Sequence, residues 1–199
     1  MTLSSILAPL EGAVVRLEPL APAHVPALAA FALDSSLWTW GLTPLATVED
    51  VATYVARAVA ERESGQSVPF AVVLKATECV VGSTRFGSLA PEHGRVEIGW
   101  TFYDPAVQGT AVNPDAKRTL LTHAFETWGL TRVEFKTDAL NARSRAALRG
   151  IGAVEEGVLR AHMRTASGRL RDSAYFSILA SEWPAVRAHL DAKVANRLA

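Results

Sequence analysis

Residues 108 to 116, Gln-Gly-Thr-Ala-Val-Asn-Pro-Asp-Ala, have the spacing of an anion site. They follow a strand-like run at 96–103 and open a helix-like run that ends near Trp128. A short loop that delivers backbone N–H groups to a helix N-terminus attracts anions, because those groups have no partner inside the helix and the helix dipole adds to their field. Gly109 lets the backbone approach a ligand closely. Asn113-Pro114 reads as an N-cap followed by the first helical residue. The expected ligand is a phosphorylated cofactor whose phosphates rest on residues 108–113. Two residues pull the other way. Ala111 stands where a second glycine is expected, and its methyl is tolerable only if no positive φ is needed there. Asp115 puts a carboxylate in the first helical turn, with Lys117 and Arg118 close enough to offset it.

Other side chains are candidates for an acceptor pocket. Trp38 and Trp40 lie in the polar, turn-rich stretch 34–41. They either pack on the edge of the core or form one wall of a substrate pocket, since such pockets favour aromatic linings. His162 and Tyr175, on two late strands, could line the same pocket, although a lone strand histidine is more often structural. His24, His93, His123 and His189 are scattered without ligand spacing, so no metal is expected. Cys79 is the only cysteine, which excludes an intramolecular disulfide and a Cys-cluster metal site. Its neighbours Val80 and Val81 predict a buried strand thiol rather than a nucleophile.

The elements that must position these groups follow from periodicity and punctuation. Residues 14–18 alternate loosely as a first strand. Residues 22–33 read as a helix, with Pro22 in its first turn and Pro26 as a complication. Thr47 and Asp50 form a capping-box variant, and apolar residues then recur at helical spacing to about Arg62. Strands are expected at 69–75 and 79–86, then a turn at 92–95 and a strand at 96–103. A helix at 113–128 places Leu120, Leu121, Ala124, Phe125 and Trp128 on one face. A strand at 131–138, a short helix from Asn141 to the glycines at 150–152, strands at 154–165 and 173–179, and a last helix from about Ser181 complete the chain. This order predicts an α/β (α+β) fold: a mixed central sheet with helices on both faces. Without repeats or a linker, residues 1–199 read as one domain.

The bulk composition bounds the partners. The chain has 199 residues, 49% hydrophobic and 20% charged, as in a folded globular protein. Lys+Arg and Asp+Glu both total 20, giving zero formal net charge. With no basic-aromatic stripe, a nucleic-acid partner is disfavoured. No apolar run approaches the ~18 residues of a membrane span, and residues 1–6 lack the positive charge that begins a signal peptide. No membrane association and a cytoplasmic location are the expectations.

The order and spacing of several segments resemble the GNAT N-acetyltransferases, specifically their RimJ/RimL-type subgroup. The segments are Val15-Arg16-Leu17-Glu18-Pro19-Leu20, Val96-Glu97-Ile98-Gly99-Trp100, the 108–113 loop, Asn141-Ala142-Arg143-Ser144 with Gly150-Ile151-Gly152, Val158-Leu159-Arg160, and Arg171-Asp172-Ser173-Ala174-Tyr175-Phe176. The similarity spans about residues 10–190. Within the family's Arg/Gln-x-x-Gly-x-Gly/Ala loop, Gln108 matches and Ala111 and Asn113 depart. The resemblance implies a sheet with splayed strands, acetyl-CoA as cosubstrate, and a primary amine as acceptor: a protein N-terminus, a peptide or a small amine. It implies pantetheine pairing with the backbone of Thr101, Phe102 and Tyr103. The pyrophosphate would lie on Gln108, Gly109, Thr110, Ala111, Val112 and Asn113, and Asn141 and Ser144 would face the cofactor. Arg143, Arg145 and Arg149 become candidates for the CoA 3′-phosphate region. A homodimer follows by analogy with the subgroup.

Direct acetyl transfer needs a neutral amine. A lysine amine (pKa ~10.4) is neutral only about 0.04% of the time at pH 7, and an α-amine (pKa ~7.7–8.0) roughly 10–17%. An α-amine therefore demands less of a general base. Glu97, among apolar neighbours that could raise its pKa, is the first candidate base; the alternative is an ion pair with Arg85 or Arg95. Asp138 is a second carboxylate candidate, or else shapes the turn before Asn141. The resemblance makes Ser144 the candidate proton donor, directly or through water, to the CoA thiolate. The family often has a tyrosine in this helix, which is missing here. With Ala111 and Asn113, that absence motivates the alternative of a catalytically weak or inactive acyl-CoA-binding regulatory module. Asn141 also suits the helix N-cap.

Overall fold

The computed structural model describes residues 8–198. Residues 1–6, read above for charge, lie outside them. Eight strands form one sheet: β1 (Leu10–Glu11), β2 (Val15–Pro19), β3 (Val68–Leu74), β4 (Cys79–Ala90), β5 (Arg95–Tyr103), β6 (Arg132–Asp138), β7 (Val154–Arg164) and β8 (Leu170–Leu179). Their spatial order is β1-β2-β3-β4-β5-β6-β8-β7. Every pair is antiparallel except β5–β6, which is parallel. The expected order of elements and the mixed sheet hold. The two-residue β1 was not foreseen, and β4 and β8 are longer than their alternation indicates. Register shifts in the pairing of β4 with β5, and in β7 where it pairs with β8, break the regular pattern on which that reading depends.

Two helices cover one face. A 3₁₀ turn, Pro22–His24, leads into α1 (Val25–Ala32). Pro26 sits in the first turn of α1, where its missing N–H costs no helical bond. In α2 (Val48–Glu63) the expected capping box is present: Thr47 Oγ1 accepts from the Asp50 N–H at 3.1 Å and Asp50 Oδ2 accepts from the Thr47 N–H at 2.9 Å. Leu28, Phe31, Val51, Val55 and Phe102 form a core beneath these helices.

On the opposite face α3 (Val112–Thr122), α4 (Ala142–Gly150) and α5 (Trp183–Ala195) enclose a larger core that includes Phe70, Phe86, Leu120, Phe135, Phe176 and Trp183. The last turn of the run expected to be helical to Trp128 widens into a π turn, His123–Thr127, closed by the Trp128 N–H on His123 O at 3.0 Å. Cys79 corrects its expectation: it opens β4 at the sheet's rim and is exposed. Among the described residues no helix is long and apolar enough to cross a membrane.

Candidate functional site

The parallel pair β5–β6 is joined only over its first residues, Arg95↔Arg132, Val96↔Val133 and Glu97↔Glu134. Beyond Glu97 the β6-facing edge of β5 has no ladder partner, so residues 98–103 carry backbone N–H and C=O groups into the gap. An unpaired edge of this kind is open to a hydrogen-bonding partner. A bulge sharpens the parting. Between Ser83 and Arg85 the register with β4 shifts by one residue, and Trp100 adopts φ 51°. The extra residue reverses the facing of all that follows. Val96 and Ile98 enter the larger core, whereas Phe102 joins the α1/α2 core, 5.1 Å from the Trp38 ring and 5.7 Å from the Tyr54 ring. Thr101 and Tyr103 face α3.

Lys117, from α3, reaches the base of the gap. Its Nζ donates to Thr101 Oγ1 at 2.9 Å and lies 5.9 Å from the Phe135 ring centroid, with only 5% of the residue exposed. Burial pushes its ammonium down to about 7. The sequence carried a signal for this: Lys117, Leu120, Leu121 and Ala124 share one helical face, so the lysine lies on the apolar side.

The loop after β5 has the expected composition but a different helix start. A 3₁₀ turn, Pro105–Val107, precedes it, and Gly109 adopts φ 82°. Ala111 is right-handed, φ −69° and ψ −11°, so no glycine is needed there. It is Ala111, not Asn113, that stands at the N-cap. The Val112 N–H is met by Thr110 Oγ1 at 3.3 Å, and Asn113 is the second helical residue. Among the described residues no acceptor meets the N–H of Gly109, Ala111 or Asn113. Gln108 is bound from both ends: its Nε2 donates to Tyr103 O at 3.1 Å and its Oε1 accepts from Arg143.

Asp115 does not face the loop. It is wholly buried and accepts from the N–H groups of Ala13, Val14 and Val15 at 3.2, 2.7 and 3.0 Å, with Arg118 as its ion partner at 2.8 Å. The anticipated repulsion of a phosphate by an exposed carboxylate at this position therefore does not arise. Buried Tyr103 nearby has its phenol pushed up, by desolvation first and by the Asp115 charge second.

Asn141 caps α4, its Oδ1 accepting from the Ser144 N–H at 2.9 Å. Ser144 is half-buried beside it. Arg145 is turned away from the role expected of it: it donates to Ala139 O at 3.0 Å and pairs with Glu155 at 2.7 Å, a carboxylate it shares with Arg149. Arg143 is the arginine of this helix that reaches the loop, through Gln108.

On the α1/α2 side of the sheet, β6, β8 and β7 are left uncovered by those helices, and polar residues gather there. Glu97 is 5% exposed, but its surroundings are polar, which corrects the apolar setting expected for it. Its Oε2 accepts from Ser88 Oγ at 2.9 Å and from Lys136 Nζ at 2.9 Å. The expected alternatives are engaged elsewhere, Arg85 with Glu61 at 2.8 Å and Arg95 with Glu134 at 3.1 Å. Trp100 covers this corner. Its ring lies over Gly87, where any Cβ would stand 2.4 Å from it, and it carries the Arg85 guanidinium at 5.2 Å and Lys136 Nζ at 5.8 Å. Asp138 is 1% exposed; its Oδ1 accepts from the Leu140 N–H at 2.9 Å, shaping the turn into α4, and its Oδ2 pairs with Arg169.

Arg169 also stacks on Trp40, 5.8 Å from the ring. The tryptophan loop thereby meets the β7–β8 turn across a cleft of about 260 Å³ lined by Trp38, Thr39, Pro44, Thr165 and Arg169. Trp38 is fixed by its Nε1 donating to Ala32 O at 2.7 Å and packs against the α1/α2 core, as expected for a core-edge residue, while also bordering the cleft. His162 Nδ1 lies 3.0 Å from Ser173 Oγ, and its ring meets Tyr175 edge-on at 5.7 Å. Trp100, Lys136 and Arg171 were not singled out by sequence, and Lys117, expected to offset Asp115, instead meets Thr101. Apart from Lys117, they carry no local pattern, because the bulge that aims Trp100 and the β6–β8 pairing that gathers the rest are tertiary.

A sheet parted between two parallel strands, with an anion-seeking loop and helix N-terminus at the opening, defines a class of fold that seats a phosphorylated cofactor in the gap. The description of the acetyltransferase (GNAT) domain matches residues 15–154, and the chain belongs to that family. It is similar to a GCN5-related N-acetyltransferase from Brucella melitensis, with 32% identity, a TM-score of 0.87, and 95% of this chain and 86% of that one covered. It is also similar to Mycobacterium smegmatis RimJ in complex with CoA-disulfide, with 25% identity, a TM-score of 0.80, and 96% and 94% covered. The uncharacterized N-acetyltransferase p20 of Bacillus licheniformis is 33% identical over 121 residues, 60% of this chain and 66% of that protein. The RimJ/RimL-type resemblance and the GNAT fold thus hold.

Proposed function

We propose that the protein is an acetyl-CoA-dependent N-acetyltransferase acting on a primary amine, and that α-amines are its preferred acceptors. The observation that carries this reading is the gap beyond Glu97, where an unpaired β5 edge ends at a loop whose N–H groups at Gly109, Ala111 and Asn113 have no acceptor. These groups fit a pantetheine arm and its pyrophosphate, with the α3 dipole reinforcing the loop. Asn141 and Ser144 flank the gap from α4. The right-handed Ala111 removes one motive for the alternative of an inactive acyl-CoA-binding module, since the loop needs no second glycine.

In this reading Glu97 takes the proton of the attacking amine, with Lys136 and Ser88 holding its carboxylate in place. Asp138 is the second carboxylate on the same face and acts chiefly through its hold on Arg169. The Ser144 hydroxyl stabilises the departing thiolate by hydrogen bonding, directly or through water. Trp38, Trp40, His162 and Tyr175 border the acceptor's approach. A cytoplasmic location and a homodimer remain part of the proposal. Exposed Val154, Val158 and Leu159 on the outer strand β7 are apolar surface suited to a second copy; light scattering that finds only monomer at high concentration overturns the dimer.

Calorimetric titration with acetyl-CoA tests the cofactor assignment, and no binding at millimolar concentration defeats it. Release of CoA thiol that depends on an added amine separates the enzyme from the inactive module.

A further inference from the structure

Four cations stand on the side of the sheet that carries Trp100 and Trp40: Arg85 and Lys136 lie against Trp100, Arg169 against Trp40, and Arg171 is on β8. Three have a carboxylate of their own, Glu61, Glu97 and Asp138 respectively. Arg171 has none. It is 6% exposed, its Nε is buried without an acceptor, and among the described residues none of its nitrogens makes a hydrogen bond or ion pair. It lies on β8 opposite Met163 of β7, two residues before Ser173, which pairs with Asp138. Burial pulls its guanidinium below the ordinary value, while the charges of Asp138 and Glu97 draw it back up. A largely buried guanidinium with an unmet Nε–H and no protein acceptor for its remaining donors is a costly arrangement unless something else completes it. An anionic group is what a planar donor fork completes best.

We propose that Arg171 seats a carboxylate of the acceptor, so that the acceptor is an amine bearing a carboxylate: a free α-amino acid or a peptide N-terminus with an acidic side chain close behind it. This rests on the transferase reading above. Glu97 and Asp138 flank Arg171 and would receive the amine end, so the face is complementary to a molecule with both charges. A polyamine or other purely cationic acceptor would leave Arg171 unpaired.

The test measures kcat and KM for CoA release with matched acceptors, α-amino acids against their amides and acidic tripeptides against their glutamine or asparagine counterparts. The wild type is expected to favour the carboxylate member of at least one pair, and the favoured pair identifies free amino acid or peptide as the source. In R171Q that preference should fall by about 30-fold or more, the loss lying in KM, while the affinity for acetyl-CoA and the turnover of amide acceptors stay unchanged. R171K, which keeps the charge without the fork, should lose part of the preference and serves alone if R171Q does not fold. Equal use of both members by the wild type, or an undiminished preference in either folded variant, overturns the proposal and leaves the transferase reading intact. No amine-dependent CoA release from any acceptor overturns both.

Discussion

Around residues 108–113 the groups left without an acceptor are the backbone N–H groups of Gly109, Ala111 and Asn113; on the β6–β8 face the groups that gather are the side chains of Glu97, Asp138, Arg169 and Arg171. The first set depends on chain path alone. Ala111 departs from the glycine of the family's loop without consequence for that path, because its φ is negative. The second set depends on each residue being what it is, since every charge there is matched, or left unmatched, by a specific partner. A site built from backbone tolerates substitution, whereas a site built from buried charges does not.

That contrast can be broken most severely through the buried carboxylate that ties the loop's helix to the start of the sheet. Asp115→Asn removes a carboxylate that accepts three N–H groups and pairs with Arg118. It should lower the unfolding free energy by about 3–5 kcal/mol, as for other broken buried pairs, measured by urea denaturation. A loss below 1 kcal/mol would mean that the backbone path is held by something else. On the acceptor side, Glu97→Gln should cut kcat/KM by about 100-fold or more, roughly 2.7 kcal/mol of transition-state stabilisation, with acetyl-CoA affinity unchanged. An effect on cofactor affinity alone would move Glu97 into the other half of the comparison.

Lys117→Met probes the boundary between the two halves. The folded-state pKa of Lys117 is about 7, below its ordinary 10.5. Between these values the unfolded chain binds the proton and the folded chain does not, so wild-type stability rises with pH across that window and is lowest below pH 7. The methionine variant should be more stable by about 2 kcal/mol at pH 9, with the difference widening toward pH 7 and vanishing near pH 10.5, as followed by denaturation at several pH values. A gap that does not change with pH would show that packing, not the charge, sets the cost. The smallest effect belongs to Ala111→Gly, which should change the acetyl-CoA dissociation constant by less than about tenfold, roughly 1.4 kcal/mol. A larger gain in affinity would return importance to the missing glycine.

What the sequence disclosed divides along the same line. The Thr47–Asp50 capping box, the Asn141 cap and the strand–loop–helix order around Gly109 are local, and each appears where its spacing indicates. The N-cap of α3 was misplaced because Thr110 meets the Val112 N–H and makes Asn113 unnecessary. Glu97 was read among apolar neighbours because Val96 and Ile98 flank it in sequence, but both point to the other side of the sheet, and its true neighbours, Lys136 and Ser88, come from adjacent strands. Alternation also puts Trp100 and Phe102 on the side of Ile98; the bulge reverses this, and no residue type announces a bulge at a non-glycine position. Arg145 was assigned by helix position, without sight of Glu155 ten residues later.

The carboxylate of Asp115 closes a circuit across the chain: the amides it satisfies lie 100 to 102 residues earlier. During synthesis those amides leave the ribosome long before their acceptor exists. The outer strands β1 and β2 can pair with β3, but their fastening to α3 waits for the segment that contains the cofactor loop. The edge of the sheet and the mouth of the site are thus completed in one late, long-range step, of the kind that slows folding. Chains that stop short of residue 115 lack both the loop's helix and the acceptor that fastens β2 to it.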